Sequence, residues 1–156
     1  GIIVSTRESQ KSREKALKVG VSQISGGSRT SVGGYCVEED ETYQFDTSDK
    51  RSLDEVVNWL LDMGHIPSFC TACYREGRTG DRFMSLCKSK QILNVCGPNA
   101  LLTLKEYLMD YASDETKKKG EEIIQKELAN IPNEKVRGKT KEYLQEIESG
   151  NRDFRF

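Results

Sequence analysis

Apolar positions along this chain come first in short runs and later at helical spacing. Gly1 to Val4 reads GIIV, a continuous apolar run that fits a strand buried on both faces, as in a parallel sheet. Arg7 to Lys18 is charged and rich in helix formers, with Ala16 and Leu17 as its few apolar residues. Gly20 marks its stop. Val21 to Ser25 (VSQIS) reads as a second strand. Strand, helix, strand in so short a stretch is a βαβ unit, and such units build parallel sheets.

The run Gly26 to Tyr35 (GGSRTSVGGY) holds four glycines and forms a loop past the carboxyl end of the second strand, where parallel α/β proteins place ligand sites. Glu38 to Lys50 is acidic and polar and reads as a surface loop. From there the period is helical. Leu53, Val56, Val57, Leu60 and Leu61 make one apolar face of a helix over Ser52 to Met63. Ser52 with Glu55 resembles a capping box, and Gly64 ends the helix. A short helix is expected over Asp81 to Lys88. Longer ones are expected over Asn99 to Ala112, over Ser113 to Asn130 with an interruption at Gly120, and over Asn133 to Ser149. The tail NRDFRF is expected to fray.

Two strands cannot close a sheet, and an eight-stranded α/β barrel needs roughly 250 residues. The expected fold is therefore α/β: residues 1–50 as the last two βα units of a barrel with their loop, and residues 51–156 as a mostly helical unit. The opening GIIVSTRE carries no initiator Met, which implies a fragment or a processed chain.

Composition narrows the function classes. Lys+Arg number 24 and Asp+Glu 25, for a formal net charge of −1. That balance offers no electrostatic footprint for nucleic acid or an anionic membrane. The mean hydropathy is −0.66, and no apolar run reaches spanning length. The start has no secretory pattern, so a cytoplasmic setting is expected. Five cysteines and one histidine then suit clustered thiols for metal rather than a disulfide scaffold.

Cys70 and Cys73 form a CxxC, and Cys96 follows after 22 residues. Two thiolates on one tight turn reach the same metal centre, and a distant third closes the site. Three thiolates can hold a [4Fe–4S] cluster and leave one iron without a protein ligand. The same cysteines with His65 would instead make a Cys3His zinc site, and a CxxC that binds no metal is the third reading. Cys36 and Cys87 have no partner pattern. Cys87, beside Phe83 and Leu86, reads as a small buried hydrophobe. Between the cysteines, Arg75, Arg78 and Arg82 could offset thiolate charge or hold an anionic group, or form a solvated basic loop. Gly77 and Gly80 suggest tight turns there.

The segment MGHIPSFCTACYREGRTGDRFMSLCKSKQILNVCGPNALLTLKEYLMDYA closely resembles the C-terminal domain of the HydG family, the tyrosine-cleaving radical SAM maturases of [FeFe]-hydrogenase. GIIVSTRE and GVSQISGGSRTSVGGY resemble the last two strand regions of that family's barrel, and RSLDEVVNWLLDMG resembles the helix leading to its cluster. ThiH, the tyrosine lyase of thiamine biosynthesis, is related, but CTACYREGRTGDRF looks more like HydG.

The resemblance implies a radical SAM (β/α)8 barrel followed by an auxiliary-cluster domain. It implies that the whole enzyme splits L-tyrosine with S-adenosylmethionine into p-cresol and dehydroglycine, and that CO and cyanide then collect on an iron attached to the auxiliary cluster. The iron–carbonyl–cyanide unit would pass to hydrogenase maturation proteins. Cys70, Cys73 and Cys96 match the family's auxiliary [4Fe–4S] ligands, and an additional iron is implied. The family's CxxxCxxC, which holds the second, radical-generating [4Fe–4S], is absent from this chain. No catalytic residue is therefore assigned, and this piece alone would generate no radical. Cys87 stands where a non-ligand is expected and His65 where an aromatic is usual, so His65 is left out of the site.

Arg7 and Arg29 each lie just past a strand, flanked by Ser5, Thr6, Ser28 and Thr30. At the mouth of an intact barrel a guanidinium can bind an amino-acid carboxylate bidentately, that of tyrosine or of the cofactor's methionine part. The plainer reading is a loop arginine paired with a local acid such as Glu8. Against the enzyme stands a zinc-stapled helical binding module, which would need His65, or a decayed relative that binds nothing.

Overall fold

The structure is a computed structural model that describes residues 2–30 and 47–156. Gly1, Cys36 and the parts of the two polar loops over 31–46 lie outside the described residues. The chain divides into two units, Gly1–Val56 and Val57–Phe156, and the boundary falls within a helix.

In the first unit, β1 (Ile3–Val4) pairs in parallel with β2 (Gln23–Ile24), Ile3 opposite Gln23 and Val4 opposite Ile24. The parallel pairing expected from the βαβ pattern is present, but both strands are two residues long. The expected burial of GIIV on both faces is not seen: Ile2 is 71% exposed and Ile3 64%. Two paired strands cover neither their outer edges nor both faces. The described residues therefore show a small parallel sheet and no barrel.

The connecting helix α1 (Gln10–Lys18) begins three residues later than expected, because Ser9 caps it and accepts the Ser12 N–H at 3.3 Å. Its deepest residue is charged. Arg13, fully buried, pairs with Asp49 and donates to the Ser25 main-chain oxygen. Arg51 binds the same carboxylate, Nε to Oδ1 at 2.9 Å and Nη2 to Oδ2 at 2.6 Å. This cluster ties helix, strand end and loop together where apolar side chains are few.

Helix α2 (Leu53–Asp62) starts as its capping box predicts. The Ser52 N–H donates to Glu55 Oε2 at 2.7 Å, and the Glu55 N–H donates to Ser52 Oγ at 3.3 Å. It ends at Gly64, whose φ of +75° is left-handed and lets the His65 N–H reach back to the Leu60 carbonyl at 2.9 Å.

The second unit is helical: α3 (Ala72–Arg75), α4 (Gly80–Lys88), α5 (Leu93–Asp110), α6 (Asp114–Ala129) and α7 (Glu134–Glu148). Its core is built from Leu101, Leu104 and Leu108 of α5, Ile124 and Leu128 of α6, and Leu144 and Ile147 of α7. Four expectations need correction. Helix α5 starts at Leu93 rather than Asn99 and carries Pro98 inside it. The proline is the sixth residue of the helix, past the first turn, and gives up the main-chain bond that an N–H there would make to Asn94. Helix α6 runs through Gly120 without interruption. The tail does not fray: Phe154 and Phe156 pack on the core, Phe154 stacked on Tyr143 with centroids 4.5 Å apart. Helix α4 has no fully buried residue, so Cys87 is half-buried rather than a core hydrophobe. No helix among the described residues is long and apolar enough to cross a membrane.

Candidate metal centre

Three elements bring the cysteines to one side of the second unit. Cys70 lies in the loop before α3, Cys73 on that single turn of helix, and Cys96 near the start of α5. The loop is pinned to α5 ahead of the CxxC. The Phe69 N–H donates to Thr103 Oγ1 at 3.2 Å, and the Phe69 ring stacks on Tyr107 with centroids 5.0 Å apart. Past the CxxC the chain closes a turn, with the Arg78 N–H on the Cys73 carbonyl at 2.8 Å.

Cys70 and Cys73 are half-buried and Cys96 is exposed. The Cys70 sulfur already accepts a hydrogen bond, from the Ala72 N–H at 3.4 Å, the kind of contact that tunes a metal-bound sulfur. The Cys96 thiol is pushed above its ordinary value, first by packing around it and then by the charges of Cys73, Cys70 and Cys87; Arg78 pulls the other way. Four thiols and one guanidinium thus act on one another here. Sequence reasoning missed Cys87, because nothing in its spacing shows that the turn after α4 returns the chain toward Cys96.

The three arginines divide. Arg75 pairs with Asp153, Nη2 to Oδ2 at 2.8 Å. Arg82 donates to the Glu76 carbonyl at 3.2 Å. Arg75 thus bonds to the far end of the chain and Arg82 within its own loop. Arg78 donates from Nη2 to the Phe156 main-chain oxygen at 2.6 Å, while its Nε–H is buried without a hydrogen-bond partner among the described residues. A buried unused donor beside thiols suits an anionic sulfide cluster.

No three His, Cys, Asp or Glu side chains among the described residues lie close enough to hold a single metal ion. His65 is exposed, and the Cys3His set of the zinc reading is not assembled. A tetrahedral zinc with bonds of about 2.3 Å draws its sulfurs to about 3.8 Å from one another. A cluster binds each thiolate to a different iron and takes them wider apart. Cysteine sulfurs and a buried guanidinium N–H without a hydrogen-bond partner among the described residues are groups that an anionic sulfide cluster can use. A cavity of about 110 Å³ opens beside Cys70, lined by Arg75, Thr103, Glu106 and Asp153 among others.

In the first unit, Arg7 and Arg29 are both exposed and follow parallel neighbouring strands, so both loops leave the sheet at the same end. The Arg7 N–H donates to Ser5 Oγ at 3.3 Å.

Of the comparisons with known proteins, one stops short of the cysteines and one covers them. A family model described as the Biotin and Thiamin Synthesis associated domain matches residues 1–66. Among solved structures, the crystal structure of HydG, titled a maturase of the [FeFe]-hydrogenase, matches at 54% identity with a TM-score of 0.92 over 100% of this chain. The chain resembles HydG along its whole length. It spans 34% of that HydG chain and corresponds to a C-terminal portion of it. No curated protein sequence matches. The HydG likeness covers the CxxC, Cys96 and every helix of the second unit.

Proposed function

We propose that this chain is the end of a radical SAM barrel joined to a helical domain that holds an auxiliary [4Fe–4S] cluster in a tyrosine lyase of the HydG type. The observation that supports it best is the buried Nε–H of Arg78, without a hydrogen-bond partner among the described residues, near a Cys96 thiol that also feels Cys73 and Cys70. The HydG likeness over the same residues supports it independently.

On this reading Cys70, Cys73 and Cys96 hold the cluster. The Ala72 N–H steadies the Cys70 sulfur and Arg78 offsets the cluster's negative charge. When bound, such a cluster supplies one iron without a protein ligand, open to small ligands and an additional iron. Arg75 and Arg82 shape the surrounding loop through Asp153 and the Glu76 carbonyl. Arg7 or Arg29 holds the carboxylate of L-tyrosine or of the methionine part of S-adenosylmethionine. The whole enzyme cleaves tyrosine to p-cresol and dehydroglycine and supplies CO and cyanide for the proteins that assemble the hydrogenase cofactor. The radical-generating [4Fe–4S] would be bound outside this chain.

The matched family model carries thiamin synthesis in its name, which makes a ThiH-like lyase the second reading. The 54% identity to HydG across the whole chain favours the first. Anaerobic loading with iron and sulfide tests the site. The reading expects about four irons and four sulfides per chain, lost in Cys73→Ala and kept in His65→Ala. One zinc per chain, lost in His65→Ala, would replace the enzyme reading by the zinc-stapled module.

A further inference from the structure

The segment Arg152 to Phe156 is anchored at one end and reaches the cysteine site at the other. The Arg152 guanidinium grips Asp110 at the end of α5, Nη2 to Oδ1 at 2.5 Å and Nε to Oδ2 at 2.9 Å. Phe154 and Phe156 sit against Tyr143 of α7. From that anchor the tail meets the stretch just past the CxxC. Asp153 pairs with Arg75, Arg155 Nε donates to Glu76 Oε1 at 2.8 Å, and the Phe156 main-chain oxygen accepts from Arg78. It also meets α5 three residues past Cys96. There Asn99, 2% exposed, accepts the Phe156 N–H at 2.9 Å and donates to its oxygen at 3.3 Å. Asp153 holds a φ of +70°, a left-handed conformation that costs a non-glycine residue energy and persists only where its surroundings over-determine it. Here the Asp153 N–H on Glu106, at 2.8 Å, and the Arg75 pair do so.

Helix α3 is four residues long, too short to hold itself together. The Phe69 contacts pin only the side ahead of Cys70. Past Cys73 the Arg78 N–H on the Cys73 carbonyl and Arg82 on the Glu76 carbonyl close the turn on itself, and the tail ties that turn to α5. We propose that residues 152–156 are a clasp that fixes the CxxC turn in register with Cys96, with Arg155 and Asn99 as positioning residues for the thiolates. The inference deepens the cluster reading and rests on it for its purpose, but the clasp itself is measurable without metal.

The test uses charge reversal in the full chain: Glu76→Arg, Arg155→Glu, and the two together. Without metal, amide hydrogen exchange over residues 70–78 is expected to speed up about three- to tenfold in each single variant and to return to parental rates in the double variant, while α6 and α7 exchange as before. After anaerobic loading, iron release to a chelator is expected to follow the same order. Asn99→Ala is expected to loosen the same stretch by about tenfold, since it removes both side-chain hydrogen bonds that hold Phe156. Parental exchange in both single reversals overturns the clasp, as does a double variant as loose as either. A parent chain that takes up no cluster overturns the cluster reading and leaves the exchange result to decide the clasp.

Discussion

Gly120 of α6 lies directly against the Leu108 side chain of α5. A Cβ built at Gly120 would come within 2.7 Å of Leu108 Cδ2 and 3.1 Å of its Cγ. Leu108 is 1% exposed, inside the core, so a methyl group at Gly120 must displace it. The glycine is therefore the contact that lets two helices approach, and the helix continues through it. Alanine is the better helix former by about 1 kcal/mol, but overpacking a core costs about 1–3 kcal/mol. Gly120→Ala is expected to lower stability by about 1 kcal/mol or more, read by urea unfolding. A gain in stability would mean that the helices separate at no cost.

Asp49 holds two guanidinium groups, its side chain 4% exposed. Hydrogen bonds from Arg51 and the charge of Arg13 hold its carboxyl below the ordinary 3.8, against the cost of burial. A carboxyl lowered by folding stabilises the fold above its unfolded pKa, and that contribution is lost as pH falls through the folded one. The first unit is expected to unfold in acid below about pH 4 ahead of the second. Asp49→Asn is expected to cost about 3 kcal/mol at neutral pH, because the buried Arg13 loses this ion pair. Circular dichroism against pH and urea checks both.

Lys105 of α5 bridges to Glu121 of α6 at 2.5 Å and to Glu148 of α7 at 2.7 Å, its side chain 4% exposed. Burial alone would lower its pKa, but the bonds to the two glutamates outweigh it and hold the ammonium above its ordinary value. A lysine raised in this way stabilises the fold below its unfolded pKa of about 10.4, and the contribution is lost as pH rises through the folded value. Lys105→Ala is expected to cost about 1–2 kcal/mol, while Lys105→Met, which keeps the buried stem, costs less. Thermal unfolding of both variants at pH 7 and pH 11 separates charge from packing: the alanine penalty shrinks at the higher pH.

Cys87 adds charge to the thiol group without matching the CxxC and Cys96 spacing. Three ligands suffice for a cluster with an open iron, so Cys87→Ala is expected to load the same iron and sulfide as the parent. Loss of half or more of the iron would make Cys87 the fourth ligand and close the cluster.

What the sequence disclosed was local. Ser52 and Glu55 announce their helix because the capping box is made within one turn. The CxxC announces thiol chemistry because its two sulfurs share a turn. Pro98 misplaced the start of α5, since a proline most often opens a helix and here lies inside one. The tail was unreadable because its anchors, Asp110 and Asn99 on α5, Tyr143 on α7 and Glu76 past the CxxC, are scattered along the chain. The same holds for Arg13: a charged residue on a charged helix gives no sign that a carboxylate 36 positions on will bury it. Arg75, Arg78 and Arg82 looked alike in sequence, and only packing separates the one with an unused buried donor from the two held by acids or carbonyls.

The most direct test of the central claim, a three-thiolate cluster with one iron free of protein ligands, is the EPR spectrum of the reduced, anaerobically loaded chain with and without added cyanide. An open iron binds cyanide and shifts the signal, and the account predicts that shift in the parent and in Cys87→Ala alike. A cluster signal that cyanide leaves unchanged in the parent, and shifts only after Cys87→Ala, would contradict it.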